Sequence, residues 1–194
     1  MAIARASDDP VAENDEYDQL IRPFEEQMLQ SIGRVVRDAD RAEEALQDAV
    51  TKLWGGRARL ASHPNPRAYV LSVCLSVAHD ALRKLKRQEA ARAVMLSEAR
   101  SRSGSPEPSA GVEARELEDE VLTALSKLSS QQATAVLLRL MHEQSYADVA
   151  AALDCSEVTA RTHVARGREA LSRLLAHLAP ASPSKAIPGL EAPR

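Results

Sequence analysis

Residues 157–168 gather side chains that suit the reading of a nucleic acid: Glu157, Thr159, Arg161, Thr162, His163, Arg166 and Arg168. Arginine presents paired donors to guanine edges or to phosphates, threonine offers a hydroxyl and a methyl, and a helix N-terminus favours a phosphate. The same arginines also suit a plain solvated helix face, with Glu169 and Arg173 beside them, and periodicity alone leaves both readings open. Catalytic arrangements do not compete. His63, His79, His142, His163 and His177 lack metal-ligand spacing, there is no glycine-rich phosphate loop, and no Ser or Cys sits in a nucleophile motif. Neither an enzyme nor a metal or cofactor is expected. Cys74 and Cys155 lie far apart and read as small apolar residues.

The elements that must position those side chains follow from caps and periodicity. Ser145 with Asp148 opens a short helix, Asp154-Cys155-Ser156 makes a turn, and Ser156 caps a second helix running to about Leu178 with Val158 and Val164 facing inward. This is the order of a helix-turn-helix. Ser129 and Gln132 have capping-box spacing ahead of ATAVLLRLM, and Val112 to Leu125 reads as an acidic-fronted helix. Upstream, Leu20, Phe24, Met28 and Ile32 recur at helical spacing, as do Ala42, Ala45, Leu46, Ala49, Val50 and Leu53, ending at Trp54-Gly55-Gly56. Residues 55–67 hold two Gly and two Pro and cannot be regular helix throughout. Pro66 opens a helix to about Gln88, apolar at first and basic at its end. Residues 97–112 have the composition of a flexible linker, and 179–194 that of a disordered tail.

With 194 residues, 44% apolar and only 3% aromatic, the composition favours helices packed through aliphatic side chains, an all-α protein. The net charge of −3 argues against a chain that coats nucleic acid nonspecifically, but charge is segregated: acids from Asp8 to Asp18, bases from Arg83 to Arg92. No apolar stretch approaches the roughly 20 residues of a membrane span, and the N-terminus does not read as a signal peptide. A cytoplasmic protein without membrane insertion is expected.

Residues 125–175 resemble the DNA-binding sigma-four domain of bacterial sigma factors, through the leucine-rich helix, the Ser-Tyr-Ala-Asp-Val-Ala start, the Leu-x-Cys-Ser turn and the Thr-x-Arg-Thr-x-x-x-Arg-x-Arg-x-x-Leu helix. Residues 41–54 (RAEEALQDAVTKLW) and 65–84 (NPRAYVLSVCLSVAHDALRK) resemble the sigma-two domain of the same proteins. Two matches in the right order, without the extra domains of housekeeping factors, point to the extracytoplasmic-function (ECF) group of the sigma-70 family. The resemblance implies an acidic disordered N-terminus over 1–15, a sigma-two-like helical bundle over 16–92, a flexible linker over 93–114, a sigma-four-like helix-turn-helix domain over 115–178 and a disordered Pro-rich tail over 179–194. It implies an alternative sigma factor, monomeric when free, that binds core RNA polymerase, recognises promoter DNA as duplex and as melted strand, and is held by an anti-sigma protein or other regulator.

By the same resemblance, Glu44, Gln47, Asp48 and Trp54 are the candidate polymerase contacts. Read alone, Glu44 and Asp48 decorate a solvated helix face and Trp54 belongs to the core. Asn65, Arg67, His79, Arg83 and Lys84 are the candidates for the minus-ten element and its unstacked strand, and the seven residues from Glu157 to Arg168 for the minus-thirty-five element. His163 stands where the family commonly has Arg or Lys; a neutral imidazole reads a base edge but adds little phosphate attraction. Family members usually carry Arg-Asn at Leu75-Ser76 and often a base at Ser72, so the melting surface here is less polar. Thr51, within the polymerase-binding helix, is a candidate for phosphorylation that alters docking. Two rivals remain: a stand-alone, dimeric helix-turn-helix regulator, and a sigma-like protein that titrates polymerase or an anti-sigma protein.

Overall fold

The computed structural model describes residues 10–99 and 112–178, and among them there are helices and turns but no strand. Helix α5 (Pro66–Ala99) is the axis of the molecule. Ala68, Val70, Leu71, Cys74, Leu75, Val77, Ala78 and Leu82 are all buried, so this part of the helix is apolar all round and has to be surrounded. Helices α2 (Glu25–Val36) and α3 (Ala39–Gly55) cover one side, and α7 (Ser130–Leu140) and α8 (Tyr146–Ala152) the other. Burial pushes the Cys74 thiol up to about 12, leaving it protonated and inert.

Each covering helix follows from its sequence. On α2, Met28, Ile32, Val35 and Val36 form the inner stripe; on α3 it is Ala42, Ala45 and Ala49, small residues that admit close approach, followed by Leu53. Asp38 caps α3 by accepting from the Arg41 N–H at 2.9 Å. The chain then turns at Gly56, where a Cβ would meet the Tyr69 hydroxyl at 3.1 Å. Helix α1 (Pro10–Leu20) precedes this bundle, so Pro10–Asp15 are helical where a disordered opening was expected. Likewise, a short helix α4 (Arg57–Ser62) forms inside the Gly/Pro-rich connection.

Helix α5 continues to Ala99, well beyond Gln88, and α6 (Val112–Ser126) begins where the linker was expected still to run. Its central residues 100–111, like 1–9 and the tail 179–194, lie outside the described residues. The three serine caps are formed: Ser129, Ser145 and Ser156 accept from the N–H groups of Gln132, Asp148 and Thr159 and start α7, α8 and α9 (Glu157–Leu174). A one-turn 3-10 helix at Ala176–Leu178 follows α9. The two halves, each with its own helices, are seated against one another along α5, and a single cluster of buried side chains runs through both.

Candidate nucleic-acid interface

Helix α9 is held by one close approach. A Cβ at Gly167 would stand 2.5 Å from Val136 Cγ2 and 3.3 Å from the Gln132 carbonyl oxygen, so α9 meets α7 at a distance only a hydrogen permits. Ala160 and Val164 join Gly167 on this buried face. The remainder of the helix is turned outward. Glu157, Thr159, Arg161, Arg166 and Arg168 are exposed, while Thr162 and His163 are half-buried.

Part of this display is braced. Arg161 pairs with Glu157, and its guanidinium lies 4.3 Å from the centre of the Tyr146 ring on α8. Thr159 and Ser156 hydroxyls are 2.8 Å apart, and the Thr162 hydroxyl donates to the Val158 carbonyl at 2.8 Å. Arg166 and Arg168, by contrast, make no ion pair or hydrogen bond among the described residues, which leaves two solvated cations for an anionic partner.

Val158 corrects the reading of the sequence: it is 74% exposed, not inside. Ala160, Val164, Gly167 and half-buried Leu171 recur at four- and three-residue steps, and Val158 falls opposite them. An apolar side chain between Glu157 and Thr162 at the start of such a helix suits a thymine methyl. That signal was legible in the spacing, but a valine was assigned inward by its hydropathy.

The candidate minus-ten residues fare differently. Arg67, Arg83 and Lys84 are exposed on α5, Arg67 donating to Gln27 Oε1 at 3.2 Å. Asn65 is engaged at both ends: its Oδ1 accepts from the Ala68 N–H at 3.0 Å, starting α5, and its Nδ2 donates to Asp148 Oδ1 at 2.7 Å. Hydrogen bonds from Ser145 and then Asn65 hold the Asp148 carboxyl below its ordinary range. His79 is fully buried, with Nε2 3.1 Å from the Leu125 carbonyl oxygen, and burial lowers its pKa. In this arrangement His79 is a buried contact between the halves and does not face a nucleic acid. Leu75 is fully buried on the same face, and the Ser76 hydroxyl lies 3.3 Å from that of Ser130.

On α3, Glu44, Gln47 and Asp48 are exposed together, opposite the buried alanines. Thr51 is also exposed, its hydroxyl donating to the Gln47 carbonyl at 2.8 Å. Trp54 is only half-exposed. Its ring packs against Tyr17 of α1, centroids 6.0 Å apart, and lies 4.8 Å from the Arg57 guanidinium, which itself reaches Glu16 at 3.2 Å. Trp54 thus fills the corner where α1 meets α3.

Comparison with known proteins finds two family models that match the chain. A family model described as sigma-70 region 2 matches residues 20–88, and one described as sigma-70, region 4 matches residues 118–171. The chain is 29% identical over 138 residues to the ECF RNA polymerase sigma factor SigC of Mycobacterium tuberculosis, covering 69% of this chain and 70% of that protein. It is 26% identical over 162 residues to SigM of the same species, covering 84% and 78%. With the RNA polymerase sigma-H factor of Pseudomonas aeruginosa it shares 24% identity over 165 residues, covering 82% and 86%. Among solved structures it is similar to a sigma factor RpoE in complex with the anti-sigma factor NepR from Bartonella quintana, at 22% identity and a TM-score of 0.48, covering 84% of this chain and 98% of that one.

Proposed function

The chain belongs to the sigma-70 family, as a member of its extracytoplasmic-function group, and from that premise we propose how its parts divide the work. It is an alternative sigma factor, which binds core RNA polymerase and directs it to promoters by binding alone, with no enzymatic step. Residues 16–92 are the unit for polymerase and the minus-ten element; residues 115–178 are the unit for the minus-thirty-five element. Glu44, Gln47 and Asp48 present an acidic and amide face to a basic surface of the polymerase. Trp54 supports that face by packing its end. Arg161 and Thr162, with Val158 beside them, read base edges, while Arg166 and Arg168 hold phosphates. Arg67, Arg83 and Lys84 serve the minus-ten strand, joined by Asn65 once it is released from Asp148.

The observation that carries this reading is α9 itself: a helix locked to α7 through Gly167 that turns Arg161, braced by Glu157, and Arg166, Arg168 and Arg173, unpaired among the described residues, outward. We place the protein in the cytoplasm, as a monomer when free, with an anti-sigma protein or other regulator as a further partner. No helix among the described residues is long and apolar enough to cross a membrane. The test is reconstitution with core polymerase on a library of promoter fragments, mapping start sites. Starts that require the protein and weaken in both Arg166→Ala and Gln47→Ala are expected; core binding without any starts favours the second reading. That second reading, a sigma-like protein that titrates polymerase, is favoured by the burial of His79 and the engagement of Asn65.

A further inference from the structure

We propose that the polar pocket where α2, the start of α5 and the turn after α7 meet is a binding site for a phosphate-class dianion, free or as the end of a nucleotide. The pocket lies at the edge of the seam along which the two halves meet. Its volume is about 280 Å³, at the small end of ligand sites, which suits one compact anionic group. Arg34 of α2 and Arg67 of α5 line it from one half, His142 and Glu143 from the other.

Local structure puts these groups together. Gln27, Gln30, Ser31 and Arg34 occupy the i, i+3, i+4 and i+7 positions of α2, so they share one side of that helix. On the opposite wall α7 ends at Leu140, and Glu143 turns the chain through the left-handed region (φ 53°) while the Gln144 N–H returns to the Leu138 carbonyl at 3.0 Å. That turn delivers His142 to the pocket.

Some of the donors are engaged and others are not. The Ser31 hydroxyl is given to the Gln27 carbonyl at 2.6 Å, and the Gln30 amide to Glu26 at 3.1 Å. Arg67 uses only its Nε, on Gln27 Oε1 at 3.2 Å, which leaves both of its terminal nitrogens and the Gln27 amide nitrogen without partners among the described residues. Arg34 makes no ion pair or hydrogen bond among them at all. Two exposed guanidiniums thus line one small pocket, and Glu143 is the only carboxylate that lines it among the described residues. Such cations repel one another until an anion sits between them, and the planar fork of arginine matches the oxygens of a phosphate.

His142 registers the same field. Its Nε2 is buried without a hydrogen-bond partner, and its pKa is lowered by burial first and then by Arg34 and Arg67. An anion held by the two guanidiniums would offset their effect on the imidazole, so anion binding and protonation of His142 should favour each other. Arg34, Arg67 and Glu143 are the charged side chains that share the pocket with the ring. The site itself does not depend on the sigma-factor reading. Where that reading holds, occupancy withdraws Arg67 from the minus-ten strand.

The test uses the full chain, without polymerase or promoter. It is titrated calorimetrically with inorganic phosphate, pyrophosphate and adenosine diphosphate at constant ionic strength. Saturable binding is expected, weakened at least about tenfold, that is about 1.4 kcal/mol, in Arg34→Ala and unchanged in Arg173→Ala, an exposed arginine that does not line the pocket. Adenosine diphosphate binding more tightly than pyrophosphate would assign the site to a nucleotide, and the reverse order to the free ion. Glu143→Gly, which suits the left-handed turn and removes the carboxylate, should tighten binding a few-fold. Sulfate, whose charge is fixed near neutral pH, should raise the His142 pKa followed by NMR, and the rise should vanish in Arg34→Ala. The proposal is overturned if none of the three anions binds saturably at millimolar concentration, if binding survives Arg34→Ala or falls equally in Arg173→Ala, or if His142 does not respond. Binding of a single-stranded oligonucleotide through Arg34, where no small anion binds, would also overturn it and give these arginines to a nucleic-acid strand.

Discussion

The outward face of α9 and the seam face of α5 are both helical surfaces proposed to meet promoter DNA, yet one is displayed and the other covered. On α9 the arginines are exposed, and Arg161 is braced by neighbours within its own unit. On α5 His79 is spent on the Leu125 carbonyl of the opposite half, and Ser72 is buried there, donating within its own helix to the Tyr69 carbonyl at 2.7 Å with the Ala152 carbonyl oxygen 3.4 Å away. A duplex-reading surface can stand in water without cost, because its cations are well hydrated. A surface with Leu75 at its centre cannot, because leaving such a side chain in water forfeits about 1.5–3 kcal/mol. The low polarity of this face of α5 therefore calls for a cover, and the C-terminal half supplies it.

The largest expected effect breaks the displayed surface. Gly167→Val puts side-chain carbon where a Cβ alone already meets Val136 Cγ2 at 2.5 Å; overpacking of this kind costs about 1–3 kcal/mol or more. A lowered urea midpoint and lost minus-thirty-five binding should follow, with α3's polymerase contact preserved. Retained duplex binding by a fully stable variant would show that α9 does not need its close seat on α7.

The next prediction acts on the covered surface. Burial lowers the pKa of His79, opposed by its hydrogen bond to Leu125 and the nearby Asp80 and reinforced by Arg83. Burial with Arg34 and Arg67 lowers that of His142. Freed imidazoles titrate near 6.5. Above that pH both states are neutral and the seam is at full strength; as pH falls below about 6.5 the opened chain takes up protons that the closed chain does not, and closure weakens. The loss is at most about tenfold per pH unit for each histidine. Small-angle scattering of the free protein should therefore show expansion between about pH 6.5 and 5, and His79→Gln, which keeps a donor for Leu125, should blunt it. A radius that does not change with pH would contradict the histidine's part in closure.

These contrasts also mark how far the sequence could be read. The serine caps of α7, α8 and α9 were legible because capping is local chemistry within three residues. The inner stripes of α2 and α3 were legible because each faces a single side. Helix α5 was harder. Its run AYVLSVCLSVA has no polar stripe, which says that it is surrounded but not by what. His79 was assigned to DNA through the family resemblance of residues 65–84; only the arrival of α6, more than forty residues later, brings the Leu125 carbonyl to its ring. The helical ends of the expected linker, like α1, were missed because composition reports weak packing and not the absence of helix.

Salt separates the displayed cations more gently. Arg166 is exposed and unpaired among the described residues, so Arg166→Ala should weaken holoenzyme binding several-fold at every promoter alike and reduce the salt slope by about 0.9. Arg83 is exposed too, on α5, so Arg83→Ala should reduce the slope by a similar amount, whereas Ser72→Ala, on the buried face of the same helix, should leave it unchanged. A slope altered by Ser72→Ala would erase the distinction between displayed and covered positions.

The smallest effects come from two carboxylates in the first turns of neighbouring helices. Asp148, at the start of α8, accepts from Ser145 at 2.5 Å and from Asn65 at 2.7 Å across the seam; Glu157, at the start of α9, pairs with Arg161 on the open side. Both favour their helix dipoles, so losing either charge should cost stability alike, by a few tenths of a kcal/mol at these solvent-screened sites. Their other consequences should differ. Asp148→Asn weakens the hydrogen bonds from Ser145 and from Asn65, so it should loosen the contact between the halves by no more than a few-fold and leave minus-thirty-five preference intact. Glu157→Gln releases Arg161 towards the groove, so it should shift base preference and leave closure intact. Mapped start sites read the second, and small-angle scattering of the free protein reads the first. Should both variants move both readouts, the turn Asp154-Cys155-Ser156 would be transmitting strain between α8 and α9, and the two faces would be one coupled device instead of two separable surfaces.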